Sequence, residues 1–451
     1  MHWQHILWPR LTSRPVRARM RHFRIPQADR HSRVHLRVEE DGSGLMLVDA
    51  TVAVRLNHSA MEIAHAILEG KSLEQTTRAL RKQFRDATAE QVARDYEKLR
   101  QILFPAGHEA QCPWQDLASK ENEPFSIKVS APYRADLALL YRCQNHCPHC
   151  YVERSREMPS LSREQWNSVL EKLWHAGIPH ICFTGGEATL CDFLVELVEK
   201  ARDLGQVSGL LTNGRRLSER DYARRLVAAG LDHVQITLES HVEDVHNRMV
   251  GAPGYGETLA GLKNALSEGI YTVTNTTLTR LNAPQIEQTV EFLHGLGVKA
   301  FACNSLIISG GGKNSDVGLT MPELARVLPL VNRKARALGM RFIWYTPTPY
   351  CRLNPAQLGL GFKRCTAAEY NICVEPNGDV LPCQSCYRVA GNMLADPWKK
   401  IWSGPVFKEI RDRLAVPDDC RTCPDFAICG SGCPLSREHD MIHCTDRVSE
   451  G

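Results

Sequence analysis

Residues 135–150 read ADLALLYRCQNHCPHC. An apolar run ends at Tyr141, and Cys143, Cys147 and Cys150 follow within eight residues. A short apolar run without a helical period reads as a buried strand. Similar runs recur at 179–184, 207–212, 233–238, 271–277 and 300–307, with helical patterns between them. One helix opens at the capping box Ser162-x-x-Gln165 and carries Trp166, Val169, Leu170, Leu173 and Trp174 on one face. Strands alternating with helices mean parallel strands joined by right-handed crossovers. Six repeats fit an α/β fold with a partial (β/α)6 barrel of TIM type over 134–347, with its chemistry at the C-terminal ends of the strands.

The strand ends carry the candidate chemistry. Cys143-x3-Cys147-x2-Cys150 ends the first strand. Three thiolates so spaced can wrap one face of a [4Fe–4S] cube. The fourth iron then lacks a protein ligand and is open to an amino-acid-like chelator. A zinc site is the alternative. Thr184-Gly185-Gly186-Glu187 ends the second strand, where glycines permit close backbone approach and a Glu can attract an ammonium group, and a plain turn is the alternative. Thr212-Asn213-Gly214 ends the third, and a plain turn is the alternative there. Thr237-Leu238-Glu239-Ser240 ends the fourth, and Arg248 follows shortly after. A solvated surface charge is the alternative for Arg248. Asn275 and the loop Ser309-Gly310-Gly311-Gly312 fall near the same mouth by position.

The flanking segments differ in kind. Of 17 cysteines, nine lie between Cys351 and Cys433. Residues 348–451 show little periodicity, and loops without an apolar core need a staple that metal clusters can supply. Their spacing is Cys365-x12-Gly378-x4-Cys383, then Cys420-x2-Cys423-x5-Cys429-x3-Cys433, then Cys444. A structural zinc pair is the alternative reading. Cys112, Cys182, Cys191 and Cys303 fit no pattern and read as buried small hydrophobes. Towards the N-terminus, Val34, Leu36 and Val38 alternate, and Asp41-Gly42 marks a hairpin turn. Leu45 to Val48 and Val52, Val54 and Leu56 continue the strands. Asn57, Ser72-x-x-Gln75 and Thr88-x-x-Gln91 then open three helices. Residues 30–105 thus predict a small α+β, winged-helix-like binding module. Residues 106–133 read as a Pro-interrupted linker. Residues 1–30 hold seven Arg and one Asp, and 1–29 are expected to form a disordered basic tail.

Composition limits the classes. Hydrophobic residues make up 43% and charged residues 24%, ordinary for a globular chain of 451 residues. A net charge of +4 makes no case for nucleic acid. No apolar run approaches the roughly 20 residues that span a bilayer, so no membrane partner is expected. A disulfide framework belongs to small secreted chains, which this is not.

The spacing Cys143-x3-Cys147-x2-Cys150 after the first strand, with His149 before the last cysteine, resembles the signature of the radical S-adenosylmethionine (SAM) superfamily. That resemblance implies SAM contacts from Gly185, Gly186, Glu187, Thr212, Asn213, Glu239, Ser240 and Arg248. Ala188 stands where the family often has Pro. The C-terminal cysteines resemble the SPASM extension, which implies two auxiliary clusters and three [4Fe–4S] clusters in all. Cys365, Cys383 and Cys433 would hold one, with Cys351 as the chosen fourth ligand and Cys373 and Cys386 as rivals. Cys420, Cys423, Cys429 and Cys444 would hold the other. Leu56-Asn57, Leu68-Glu69-Gly70 and Ser72-Leu73-Glu74 resemble the PqqD-like recognition element of ribosomal-peptide maturases. Such an element implies a precursor-peptide leader bound to 30–105 as an added strand. Together these resemblances imply reductive cleavage of SAM to a 5′-deoxyadenosyl radical, which takes hydrogen from the peptide to crosslink, oxidise or epimerise it. They also imply a flavodoxin or ferredoxin as electron donor and a cytoplasmic location poor in oxygen. Modification of a protein side chain or small molecule, or a non-catalytic iron–sulfur electron carrier, are the alternatives.

Overall fold

The computed structural model describes residues 19–26, 31–39, 41–49, 52–104 and 125–436. Two compact units emerge, Met1–Tyr133 with Leu173–Pro179, and Arg134–Lys172 with His180–Gly451.

In the first unit, strands β1 (Arg19–Pro26), β2 (His31–Val38), β3 (Gly44–Val48) and β4 (Val52–Leu56) form an antiparallel sheet in that order. Helices α1 (His58–Leu68), α2 (Leu73–Gln83) and α3 (Ala89–Leu103) follow. Each starts where a side chain satisfies an otherwise orphaned amide. Asn57 accepts from Ala60 N–H, Ser72 from Gln75 N–H and Thr88 from Gln91 N–H. Val34, Leu36, Met46, Val54, Ile63, Val92 and Leu99 meet in one apolar core. Strand β1 corrects the expected tail. Phe23 packs against that core and Ile25 is buried in it, while Arg21 on the same face donates to Glu69 Oε1 at 2.6 Å. The basic composition conceals this alternation.

The second unit is built on one ten-stranded sheet. Its parallel strands are β5 (Arg134–Ala138), β6 (His180–Thr184), β7 (Val207–Thr212), β8 (His233–Thr237), β9 (Tyr271–Leu278), β10 (Ala300–Ser305) and β11 (Arg341–Trp344). The six expected strands are present, and β11 extends them by a seventh. Ser162 and Gln165 form the capping box expected before helix α4 (Arg163–His175), with Ser162 N–H donating at 2.9 Å.

The C-terminal segment continues this sheet. Strand β12 (Asn371–Val374) pairs parallel with β5, Cys373 opposite Asp136. Strands β13 (Asp379–Leu381) and β14 (Gly391–Asn392) then add antiparallel. The architecture is a parallel partial barrel with a short-stranded extension. Alternate residues of its strands face inward, so Arg134, Thr184, Leu211, Gln235, Asn275 and Asn304 line one cavity of about 420 Å³.

Candidate functional site

Cys143, Cys147 and Cys150 open onto that cavity from the loop after β5. Burial raises the Cys143 and Cys147 thiols above the ordinary range, and neighbouring thiols of the trio raise both further. Thiols that oppose one another's ionisation are the donors that a cationic cluster resolves. Asn145 N–H donates to Cys143 Sγ at 3.4 Å, and Asn213 Nδ2 approaches it at 3.9 Å. This donor set fits an iron–sulfur cluster, whose sulfurs take N–H donors.

Glycines after two strands and one helix fix the loop. A Cβ on Gly185 would strike Leu140 O, and one on Gly186 would strike Tyr141 O and Arg142 O. Gly186 N–H donates to Leu140 O at 2.8 Å and Glu187 N–H to Arg142 O at 2.9 Å. Gly251 lies equally close to His146 O, Gly310 to Cys150 O, and Gly311 to Pro148 O. Gly311 N–H donates to Cys150 O at 2.8 Å. No side chain fits at these positions without moving the loop.

Glu187 is buried, and its carboxylate gathers the strand ends. Oε1 accepts from Thr189 N–H and from the hydroxyls of Thr189 and Thr212. Among the described residues, Oε2 accepts from Asn213 N–H at 2.8 Å alone, which leaves that oxygen room for a further donor from the cavity. Gly185, Gly186, Glu187, Thr212, Asn213 and Glu239 all line the cavity. Glu239 lies 3.3 Å from His149 Nε2, and its other oxygen accepts from Thr277 N–H at 2.8 Å. The backbone N–H of Glu239 donates to Nδ1 of buried His246, whose basicity burial lowers. Two expected contacts are absent from the cavity lining. Ser240 is buried and its hydroxyl accepts from Val242 N–H at 3.0 Å, because the chain turns into a helix there. Arg248 sits on that helix and lines a neighbouring cavity with His149, Leu281 and Asp316. Asn275 and Gly311 do line the main cavity.

Sequence reasoning missed the polar group on the C-terminal side. Glu375, fully buried, accepts from Arg154 Nε at 2.8 Å, Arg154 Nη2 at 3.1 Å and Tyr141 hydroxyl at 3.0 Å. Tyr151, next to Cys150, donates to Gln384, next to Cys383, at 3.1 Å.

The C-terminal cysteines fall into neighbourhoods. Burial raises the Cys383 thiol well above its ordinary value, and Cys365, Cys386 and Cys433 beside it add to the rise. Cys386 N–H donates to Cys383 O at 3.2 Å. Cys351 instead neighbours Cys429, whose sulfur accepts from Tyr350 N–H at 3.3 Å. Cys373 is in the core with Ala138, Tyr141 and Leu381. Cys420 is buried, with its sulfur 3.4 Å from Ser431 Oγ, and Cys423 is half-buried. Cys423 N–H donates to Cys420 O at 3.2 Å. Cys112 and Cys444 lie outside the described residues.

A radical SAM domain and a SPASM domain are present in the chain. Residues 138–293 match the Radical SAM superfamily, and residues 365–424 match SPASM, an iron–sulfur cluster-binding domain. The two domains imply a [4Fe–4S] cluster, auxiliary clusters and SAM as cofactors. Among relatives, PqqA peptide cyclase of Streptomyces rochei is 29% identical over 317 residues, covering 68% of this chain and 85% of that protein. PqqA peptide cyclase of Xanthomonas campestris pv. campestris (strain B100) is 29% identical over 331 residues, covering 68% and 82%. The structure of Streptococcus suis SuiB bound to precursor peptide SuiA shares the fold, with TM-score 0.70 at 15% identity, over 89% of this chain and 94% of that one. SuiB bound to S-adenosylmethionine aligns with TM-score 0.68 at 16% identity, over 89% and 95%. Among the described residues no helix is long and apolar enough to cross a membrane.

Proposed function

We propose that this protein is a peptide maturase that uses SAM to crosslink, oxidise or epimerise a ribosomally made precursor. The observation that carries the reading is the single cavity walled by the Cys143, Cys147 and Cys150 thiols and by Glu187, Glu239 and Asn213. When bound there, a cluster and SAM supply a carbon-centred radical able to remove hydrogen from an unactivated carbon. The chain's own part is to bind, orient and exclude water. Glu187 Oε2 accepts the ammonium end of SAM, and Asn213 and Thr212 are held against it. The amides of Gln235, Asn275 and Asn304 orient a polar substrate segment deeper in the barrel. The names of the two relatives and the peptide bound by SuiB support a peptide substrate.

In this reading residues 30–105 recognise the leader. The outer edge of β4 pairs with no other strand among the described residues, as an added peptide strand requires. Residues 106–133 link this module to the barrel of 134–347, and 348–451 carry the auxiliary clusters. Cys365, Cys383, Cys386 and Cys433 hold the first, so Cys386 takes the place that the resemblance gave to Cys351. Cys420, Cys423, Cys429 and Cys444 hold the second, with Cys351 beside it. A flavodoxin or ferredoxin supplies the electron in the cytoplasm.

The test is anaerobic turnover with a short peptide encoded beside the gene, read by mass spectrometry and chiral amino-acid analysis. Loss of two hydrogens indicates crosslinking or oxidation, and unchanged mass with altered chirality indicates epimerisation. A protein that cleaves SAM yet neither binds nor alters any such peptide refutes the peptide reading.

A further inference from the structure

The sequence reading treats Cys182 as a buried small hydrophobe, and its surroundings are polar. Among the described residues, His180, Cys182 and His233 form a group whose ligand atoms all lie within 4.8 Å of one another. His180 and His233 open β6 and β8, and Cys182 follows midway along β6, away from the cysteine loop. His180 and Cys182 share a strand face with Thr184, and His233 shares one with Gln235 and Thr237, so all three point into the barrel below the cavity. His180 Nε2 is 2.8 Å from His233 Nε2 and 3.4 Å from Cys182 Sγ.

Strand β7 runs between β6 and β8, and Gly209 on it makes the room. A Cβ there would stand 2.9 Å from His233 Nδ1, and closer still to Cε1 and Nε2. A glycine inside a strand weakens it and marks a close approach. Here the approaching group is the imidazole that completes the trio.

We propose that His180, Cys182 and His233 bind a zinc-class divalent ion at the barrel floor, separate from the iron–sulfur sites. Two imidazoles and a thiolate are the donors zinc favours over magnesium or calcium. Zinc holds nitrogen at about 2.0–2.1 Å and sulfur at about 2.3 Å in a tetrahedron, so ligand atoms end about 3.3–3.6 Å apart. The two rings must part by about 0.5 Å to reach that spacing, while the 3.4 Å between Cys182 Sγ and His180 Nε2 already matches it. Without an ion, one ring shares a proton with the other. The ion takes that proton's place, and Cys182 releases its own proton on binding. Arg134 is the adjacent cation, and its ion pair with Asp136 at 2.6 Å offsets it. A 2+ ion with one thiolate leaves the floor with a single net positive charge. The fourth position is left to water. Bound there, the ion ties β6 to β8 across β7 and fixes the sheet's curvature beneath the cavity.

The test uses the full chain with its iron–sulfur content complete, so that no cluster cysteine is vacant. Anaerobic titration with Co²⁺ is expected to load about one cobalt per chain, with a thiolate-to-cobalt charge-transfer band that Zn²⁺ abolishes. Iron content stays unchanged. Cys182→Ser is expected to lose the band and bind more than ~100-fold more weakly, since even outer partners of a metal ligand cost ~10–100-fold. Gly209→Ala keeps all three donors but displaces the His233 ring, and it too weakens binding. Iron content equal to wild type shows that each variant is folded. The proposal is overturned if the iron-replete wild type takes up no cobalt, or if Cys182→Ser binds it with the same band. The wild-type titration decides the matter even where a variant fails to fold.

Discussion

Gly186→Ala puts one methyl group where the cluster loop has no space for it. The new Cβ would stand 2.5 Å from Arg142 O and 2.6 Å from the Tyr141 carbonyl carbon, and nearer still to Tyr141 O. Ordinary contact starts at 3.4 Å, so the two backbones must part by about 1 Å. Neither can swing aside as a side chain would. The Gly186 N–H to Leu140 O and Glu187 N–H to Arg142 O bonds flank the contact, so the displacement passes directly to Cys143. Overpacking of this kind costs about 1–3 kcal/mol of stability. A displacement of 1 Å at reacting groups can cost about 10²-fold in rate. The expected outcome is a modest fall in melting temperature with about a 10²-fold fall in SAM cleavage per cluster. The assay is anaerobic reconstitution, iron and sulfide quantitation, then single-turnover formation of 5′-deoxyadenosine with a strong reductant. Gly256→Ala is the control, because a Cβ at that helical position meets nothing within 4 Å. Near the start of the helix it should change stability little and leave cleavage unchanged. Full iron content with cleavage within about twofold of wild type in Gly186→Ala would refute the clamp.

Arg154→Met strands the fully buried Glu375 carboxylate and should cost about 3 kcal/mol, the low end for a buried pair because Arg154 is 34% exposed. Adding Glu375→Gln should recover part of that loss, measured as a coupling in thermal and urea unfolding, and additive losses would contradict the pairing. Cys386→Ala should remove the spectroscopic signature of one auxiliary cluster and leave the cluster at Cys143, Cys147 and Cys150 able to cleave SAM. Electron paramagnetic resonance after reduction checks this, and unchanged auxiliary signals would return the fourth position to another ligand. His246 is buried and its pKa is lowered, chiefly by desolvation. The neutral ring therefore adds stability that is complete above about pH 6.5 and lost as pH falls toward its folded pKa. His246→Asn keeps an acceptor for Glu239 N–H, and it should flatten the decline in melting temperature below that pH.

Local signals were legible where one short stretch holds its own cause. Asn57, Ser72, Thr88 and Ser162 cap helices because each bond spans three residues. The thiol trio was legible for the same reason, since spacing alone brings three sulfurs to one loop. Strand β1 was hidden because its arginines mask the buried face of Phe23 and Ile25. Strands β11 and β12 are four residues each, too short to show a period. The partners that order the site are distant in sequence. His149 and Glu239 lie 90 residues apart, and Arg154 and Glu375 lie 221 apart. Ser240 and Arg248 show the complementary limit: being near a strand end does not decide which way a side chain points. Spacing does not show that Cys386 lies beside Cys383 while Cys351 lies beside Cys429, because both neighbours are set by the folded loops.

The distribution of glycine and hydrogen bonds explains why cluster loop and C-terminal segment share one unit. The loop's carbonyls meet glycines from the ends of β6 and β10 and from Gly251, so its path is set by three independent neighbours. A conformation determined three times over costs little further ordering when a cofactor arrives. On its remaining side, Tyr151 reaches Gln384 and Tyr141 reaches Glu375, both from the segment that carries the auxiliary cysteines. Pairing of β12 with β5 supplies the rigid base for those contacts. The cavity is lined by the thiol trio on one side and by Gln384 of the C-terminal segment on the other, so these two walls cannot shift separately. Under the proposed function, a substrate segment seated there would keep its place relative to the thiol trio and to the C-terminal segment together.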